Sequence, residues 1–294
     1  MEHSQMTIAI ATPTGNIGSR VTQLLIKAGA KITLLVRNPD KLDQVVREYA
    51  TVHQGSLQDV DFVVEATQGA KALLWVTPYN FATDNLRAWQ SHLGDCVAKA
   101  VQKNQIPYVM NISSNGAQLA EGMGPISGLH AIEQKLNQVA TNIIHLRPGF
   151  FMENYITQLE ALQTQNSVFM PIPGAQRISM IATRDIAEVA ANWLLNRSWS
   201  GQLILGLHGP ANISFDEAAT IIGKELGKPI THVQITLDQF RQSLLNIGAT
   251  SDVVNQYAQM WQAISHPDYT PAEPRTDETT TPTTLAEFVR SRLC

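Results

Sequence analysis

The chain of 294 residues is 44% hydrophobic and carries 21 basic against 25 acidic residues, a formal charge of −4. That is enough to bury a large core in one large domain or two unequal ones, while the lack of a dense Lys/Arg run leaves no electrostatic footprint for nucleic acid or an anionic membrane surface. Cys96 and Cys294 are the only cysteines and make neither a disulfide framework nor a zinc site, and no stretch approaches the length of a membrane span. A reducing cytoplasm is the expected location, and the first five residues are expected to be loose.

Thr7 to Ala11 has the apolar, β-branched composition of a strand buried on both faces, and it runs straight into a glycine turn. After Gly15 and Gly18, the spacing of Ile17, Val21, Leu24, Leu25 and Ala28 predicts a helix that closes at Gly29. Strand, turn and helix in this order aim free backbone N–H groups at a pyrophosphate. Glycines also close such corners for packing alone, and Thr12 and Pro13 occupy the first part of the turn where a full fingerprint has glycine.

Lys31 to Val36 reads as a second strand ending in Arg37-Asn38-Pro39-Asp40-Lys41, with Pro39 starting the next helix. Arg37 lies about twenty positions past the turn, where an acidic residue would hold a ribose 2′-hydroxyl and an Arg accommodates a 2′-phosphate. Lys41 can add a second charge to the same phosphate; the alternative for Arg37 is a solvated strand cap. Thr51 to Gln54 is a third strand, followed by Gly55-Ser56 and a helix carrying Phe62, Val63 and Ala66. Lys71 to Val76 is the fourth, ending in Thr77-Pro78-Tyr79-Asn80, with Trp75 and Tyr79 where a loop would cover a ligand. Phe81 to Lys103 is one long helix, and Ile106 to Ile112 is the fifth strand, ending in Ser113-Ser114-Asn115-Gly116. Such alternation demands right-handed crossovers and a doubly wound parallel sheet, with ligands across the carboxyl ends of the strands.

His130 to Val139 is a further helix and Asn142 to Leu146 the sixth strand. Regularity then falls. Phe169 to Gly174 is a proline-rich loop, Thr183 to Leu195 an amphipathic helix started by Asp185, and Gln202 to Leu207 another strand. Phe215 to Leu226 is a helix capped by Ser214 with Glu217 placed for a capping box, and helices also start at Leu237 and Ser251. Thr270 to Thr284, rich in Pro and Thr, is expected to be a surface loop before a last helix, Leu285 to Leu293. The expected division is a Rossmann-type domain over residues 1–155, to which 176–210 return, and a smaller, mainly helical lobe over 156–294.

Several segments in order resemble the NmrA-like group of atypical short-chain dehydrogenase/reductases. They are Thr14-Gly-Asn-Ile-Gly18, Leu35-Val-Arg-Asn-Pro39, Trp75-Val-Thr-Pro78, Asn111-Ile-Ser-Ser114, the run from Leu146 to Asn154, Arg184-Asp-Ile-Ala-Glu188 and the run from Thr281 to Phe288. The resemblance implies NADP(H) as cofactor. It assigns Thr12, Thr14, Gly15, Asn16, Ile17, Gly18, Arg37, Lys41 and Ser56 to the dinucleotide, and Thr77, Pro78, Asn111, Pro148 and Phe150 to its nicotinamide end. Thr12 replaces the family's first glycine. The Tyr-x-x-x-Lys of the wider superfamily is also missing, with His130-Ala-Ile-Glu-Gln134 in the matching region.

Reduction of an isolated ketone leaves an alkoxide and needs a positioned acid. A quinone or activated enone leaves a phenolate or enolate, and a phenol has a pKa of about 10, so one hydrogen-bond donor suffices. Tyr79, Ser113 and His130 are the candidate donors, though His130 also suits a capped or surface imidazole. Phe150, Phe151 and Met152 suit a planar apolar substrate and equally suit a core. The leading expectation is an NADPH-dependent reductase of quinone-like or conjugated carbonyl compounds. The rival is a non-catalytic NADP(H) sensor acting through a protein partner.

Overall fold

A computed structural model describes residues 6–294; the first five, expected to be loose, lie outside the described residues. The first half runs β1 (Ile8–Ala11), α1 (Asn16–Lys27), β2 (Ile32–Val36), α2 (Gln44–Tyr49), β3 (Thr51–Gln54), α3 (Val60–Ala66), β4 (Ala72–Val76), α4 (Leu86–Asn104), β5 (Tyr108–Ile112), α5 (Pro125–Asn137) and β6 (Asn142–Pro148). It continues through β7 (Phe150–Phe151), α6 (Leu159–Thr164), β8 (Ser167–Met170), β9 (Arg177–Ile181), α7 (Thr183–Asn196) and β10 (Gln202–Leu207). The chain ends with β11 (Asn212–Ser214), α8 (Phe215–Leu226), β12 (Thr231–Gln234), α9 (Leu237–Asn246), α10 (Ser251–Ile264) and α11 (Leu285–Arg292).

Seven strands form one sheet in the order β10-β6-β5-β4-β1-β2-β3, and every pairing in it is parallel. This is the Rossmann-type doubly wound sheet. The apolar runs of β1, β2 and β4 are buried on both faces because helices cover both: one core joins α1 and α7 to the sheet, a second joins α3, α4 and α5. The order reverses between β1 and β4, which opens a crevice at their carboxyl ends.

The C-terminal lobe has its own core around Tyr155, Phe215, Ile222 and Phe288. Its helices accompany two small sheets, β11-β9-β7 and β12-β8. The proline-rich loop expected from Phe169 instead begins as strand, because Ser167–Met170 pairs in parallel with Thr231–Gln234. Residues 183–207 return to the first half: α7 packs beside α1, and β10 extends the sheet next to β6.

Several boundaries differ from the sequence expectation. The helix after β4 begins at Leu86 rather than Phe81, because the Asn85 side chain accepts from Ala88 N and caps it. The helix after β5 begins five residues early, at Pro125, following Gly124 at φ 51. Pro39 opens only a 3-10 turn. Asp185 does not start α7, whose N-cap is Ala182; it is buried and accepts hydrogen bonds from Thr283 N and Oγ1 at 3.0 and 2.5 Å. Those bonds show that Thr270 to Thr284 is more than a surface loop. Thr279, Thr281 and Thr283 are buried, and the segment is a strap clipped to His208 and α7.

Candidate active site at the carboxyl ends of the strands

Thr12 leaves β1 at φ 52, the left-handed region that favours glycine. Its hydroxyl donates to the carbonyls of Ala11 and Val76 at 2.8 and 3.1 Å, so the side chain ties the tip of β1 to the tip of β4. Its carbonyl accepts from Gly15 N at 3.1 Å, closing the turn. A Cβ on Gly18 would lie 2.2 Å from that carbonyl oxygen, which is why the second glycine is required. Thr14, Gly15 and Asn16 are exposed, while Ile17 packs into the core. The N-terminus of α1 has no side-chain cap and no acid in its first turn, so its N–H groups and the positive end of its dipole remain available to an anion.

Arg37 and Lys41 stand exposed past the tip of β2, and neither side chain has an ion-pair or hydrogen-bond partner among the described residues. Ser56 is less available, since its Oγ accepts from Gln58 N at 3.2 Å within its own turn.

At the ends of β4 and β5 the polar groups are buried without partners. Thr77 Oγ1, Ser113 Oγ and Asn115 Oδ1 have none, although Ser113 and Asn115 are only 4% and 6% exposed. Buried hydroxyls and amides normally pair, and these three stand together at the ends of β4 and β5, where a bound molecule could satisfy them. Asn115 carried no assignment from sequence, although it lies two residues from Ser113, which did. Pro78 is half-buried beside Thr77, and Pro148 is buried, its carbonyl accepting from Asn115 N at 3.0 Å.

The other sequence candidates are placed differently. Tyr79 is 73% exposed, with its ring stacked on Phe81. Trp75 is fully buried between sheet and helices and covers nothing. Asn111 is also fully buried, with Nδ2 on His145 Nδ1 at 3.1 Å, and the other ring nitrogen of His145 on Asn137 Oδ1 at 2.9 Å. That chain runs into the core. His130 donates from Nδ1 to the Ala117 carbonyl at 2.8 Å, since a carbonyl can only accept; the neutral ring then has no proton on Nε2 to give. Phe150 packs edge-on against Tyr155 and Phe215, and Met152 is 1% exposed in the same core, so these two build the wall from behind.

An uncapped helix N-terminus, two unpaired cations and unpartnered hydroxyls at the carboxyl ends of the strands fit a nicotinamide dinucleotide. The NmrA-like family model matches residues 4–289. The chain belongs to the NmrA-like family. It is 25% identical over 262 residues to an NAD(P)H azoreductase of Xenophilus azovorans, covering 89% of this chain and 88% of that one. It is likewise 25% identical to quinone oxidoreductase 2 of Escherichia coli, covering 85% of each. The fold matches the NADPH complex of an NADPH-dependent quinone oxidoreductase from E. coli, with a TM-score of 0.74, 22% identity and coverage of 97% and 99%. It also matches a Citrobacter triphenylmethane reductase complexed with NADP(H), with a TM-score of 0.79, 20% identity and coverage of 98% and 100%. This NmrA-like chain is accordingly an oxidoreductase, and no helix among its described residues is long and apolar enough to cross a membrane.

Beneath the site of this NmrA-like protein lies a buried charge cluster that sequence reading missed. Arg147, on the residue before Pro148, makes a two-pronged pair with Glu133 of α5 at 3.0 and 2.6 Å and reaches Glu273 of the strap at 2.6 Å. Arg147 sat in a recognised segment, but its partners are far away in sequence and only the fold unites them. The cluster ties both halves of the molecule together directly behind the ends of β5 and β6.

Proposed function

We propose that this protein is an NADPH-dependent reductase of quinone-like or conjugated carbonyl compounds. The observation that carries the reading is the Ser113 hydroxyl, buried without a partner at the end of β5 in a site that has no Tyr-Lys pair. Such a site can give one hydrogen bond to a developing oxyanion but cannot fully protonate an alkoxide. A phenolate or enolate needs no more than that.

Arg37 and Lys41 support the phosphorylated cofactor. An unpaired guanidinium at this strand tip matches a 2′-phosphate by charge-assisted hydrogen bonds, and the bare N-terminus of α1 receives the pyrophosphate. When bound, the cofactor supplies the hydride. Thr77 and Ser113 bind and orient at the nicotinamide end, and Phe150 with Met152 stiffens the wall behind them. His130 holds the loop after β5 through Ala117.

Ser113→Ala tests the role directly. A donor acting on the developing anion acts mainly in the transition state, so kcat with a quinone should fall about tenfold or more while NADPH affinity changes little. An unaltered kcat would remove Ser113 from the reaction. Failure of the unmutated protein to oxidise NADPH with any quinone or enone, despite binding it, would leave the sensor reading.

A further inference from the structure

The Tyr that the wider superfamily carries on the helix after β5 is missing from α5, yet a tyrosine from another part of the chain reaches the same loop. Tyr269 follows α10, and its hydroxyl lies 3.5 Å from where a Cβ on Gly116 would stand, three residues beyond Ser113. Its ring packs against the cluster of Ala117 and Met123 from the β5–α5 connection and Ile126 of α5, which Met260 and Ile264 of α10 also cover. The hydroxyl has no hydrogen-bond partner among the described residues. Burial, with Glu273 adding to it, pushes the phenol up to about 12, so it stays protonated and able to donate across the working range of pH.

Tyr269 also lines a groove of about 530 Å³, a size suited to a small organic molecule. Leu119 and Met123 contribute apolar surface on one side, and Gln259 and Gln262 contribute amides on the other. Gln259 is partly committed, since its Oε1 accepts from Gly124 N at 3.2 Å. The groove has no Lys or Arg in its lining; its only ionisable groups besides Tyr269 are His266 and Asp268, which face each other at 3.6 Å. Such a lining suits an uncharged planar molecule with an oxygen acceptor and offers nothing to an anion. Gly116, at φ +93, brings the loop backbone close under the phenol.

Resting on the reductase reading above, we infer that this groove seats the substrate and that the Tyr269 hydroxyl donates a hydrogen bond to its oxygen. The substrate class is an uncharged, planar quinone-like compound. Tyr269 thus brings a hydroxyl to the loop after β5 from the C-terminal lobe, and with no Lys or Arg in the groove lining to ease its ionisation it donates a hydrogen bond and keeps its proton. It takes no part in the hydride's path, and the proton that completes the product comes from solvent.

The test uses the full chain with 1,4-naphthoquinone and NADPH, comparing steady-state kinetics of Tyr269→Phe and Leu119→Glu with the unmutated protein. Calorimetric NADPH titration supplies the readout that a structural defect would disturb. Tyr269→Phe should lower kcat/KM about tenfold, the size expected for one lost hydrogen bond to a developing anion. Leu119→Glu, at a position 46% exposed and therefore tolerant of change, should raise KM several-fold with little change in kcat. NADPH affinity should stay within twofold in both. Wild-type kinetic values in either variant, with turnover intact, overturn this inference and leave the reductase reading standing. Absence of naphthoquinone turnover by the unmutated protein overturns both.

Discussion

Replacing Thr12 by glycine perturbs the first turn where this chain departs from its family, and the structure allows the outcome to be worked out. A β-branched residue at φ 52 costs roughly 1–2 kcal/mol, which glycine relieves. Two terms oppose that gain. The hydroxyl's bond to the Val76 carbonyl is lost, at about 1 kcal/mol, and glycine frees the unfolded chain by about 0.5–1 kcal/mol. The sum lies within about 1 kcal/mol of zero, so Thr12→Gly should fold as stably as the parent and bind NADPH no more weakly. Thr12→Val separates the terms: it keeps the strained backbone and deletes only the hydroxyl, and should cost about 1 kcal/mol. Gly18→Ala supplies the contrast, because its methyl would sit 2.2 Å from the Thr12 carbonyl oxygen and 2.9 Å from its carbon, backbone atoms that cannot swing aside. A loss of about 3 kcal/mol is expected there. Urea unfolding followed by circular dichroism, with unchanged m-values, measures all three. A loss above about 2 kcal/mol in Thr12→Gly, or a neutral Gly18→Ala, would refute the turn geometry argued here.

Arg37→Ala should erase most of the preference for NADPH over NADH, measured by calorimetric titration of both cofactors, since no other protein group competes for the guanidinium; equal affinities in the unmutated protein would remove the basis for NADP(H). His145 gives a pH dependence. Burial lowers its pKa from 6.5 to about 4, so the unfolded chain binds the proton first, and stability present above pH 6.5 should drain by up to about 3 kcal/mol as pH falls toward 4. His145→Gln should flatten that acid limb in chemical denaturation; an identical slope would show that other groups carry it. Glu133→Gln should cost about 1.5–3 kcal/mol by thermal or urea unfolding, because Arg147 would lose half of its two-pronged pair while Glu273 still balances its charge.

The parallel sheet was legible because strands buried on both faces read as unbroken apolar runs, as in Ile8–Ala11 and Ile32–Val36. The α8 start was legible too, since the capping box of Ser214 and Glu217 is a local signal. Where the deciding contact was distant, sequence gave little. β8 forms only because Thr231–Gln234 lies beside it, and the Thr-rich strap is bound only because His208 and Asp185 meet it. The α5 start had a readable signal in Pro125 after Gly124, which the apolar spacing from His130 onward obscured. In the candidate site, Arg37 and Ser113 were named from their places at strand ends, and both stand there, Arg37 exposed and Ser113 buried. Strand-end position could not show which way a side chain turns: Asn111 and Trp75 face the core, and Tyr79 faces solvent. Tyr269 had no sequence signal, because the loop it meets lies on the far side of α5 in the chain.

A site of this kind should reduce acceptors that yield stabilised anions and leave isolated ketones untouched. NADPH consumption by the full chain should be measured side by side with 1,4-naphthoquinone and with an aliphatic ketone such as 2-butanone at equal concentration. Steady oxidation of NADPH is expected with the quinone and almost none with the ketone, because Ser113 and Tyr269 donate hydrogen bonds while no Lys in the groove lining helps the phenol give up its proton. Comparable rates with both, or consumption with the ketone alone, would contradict it.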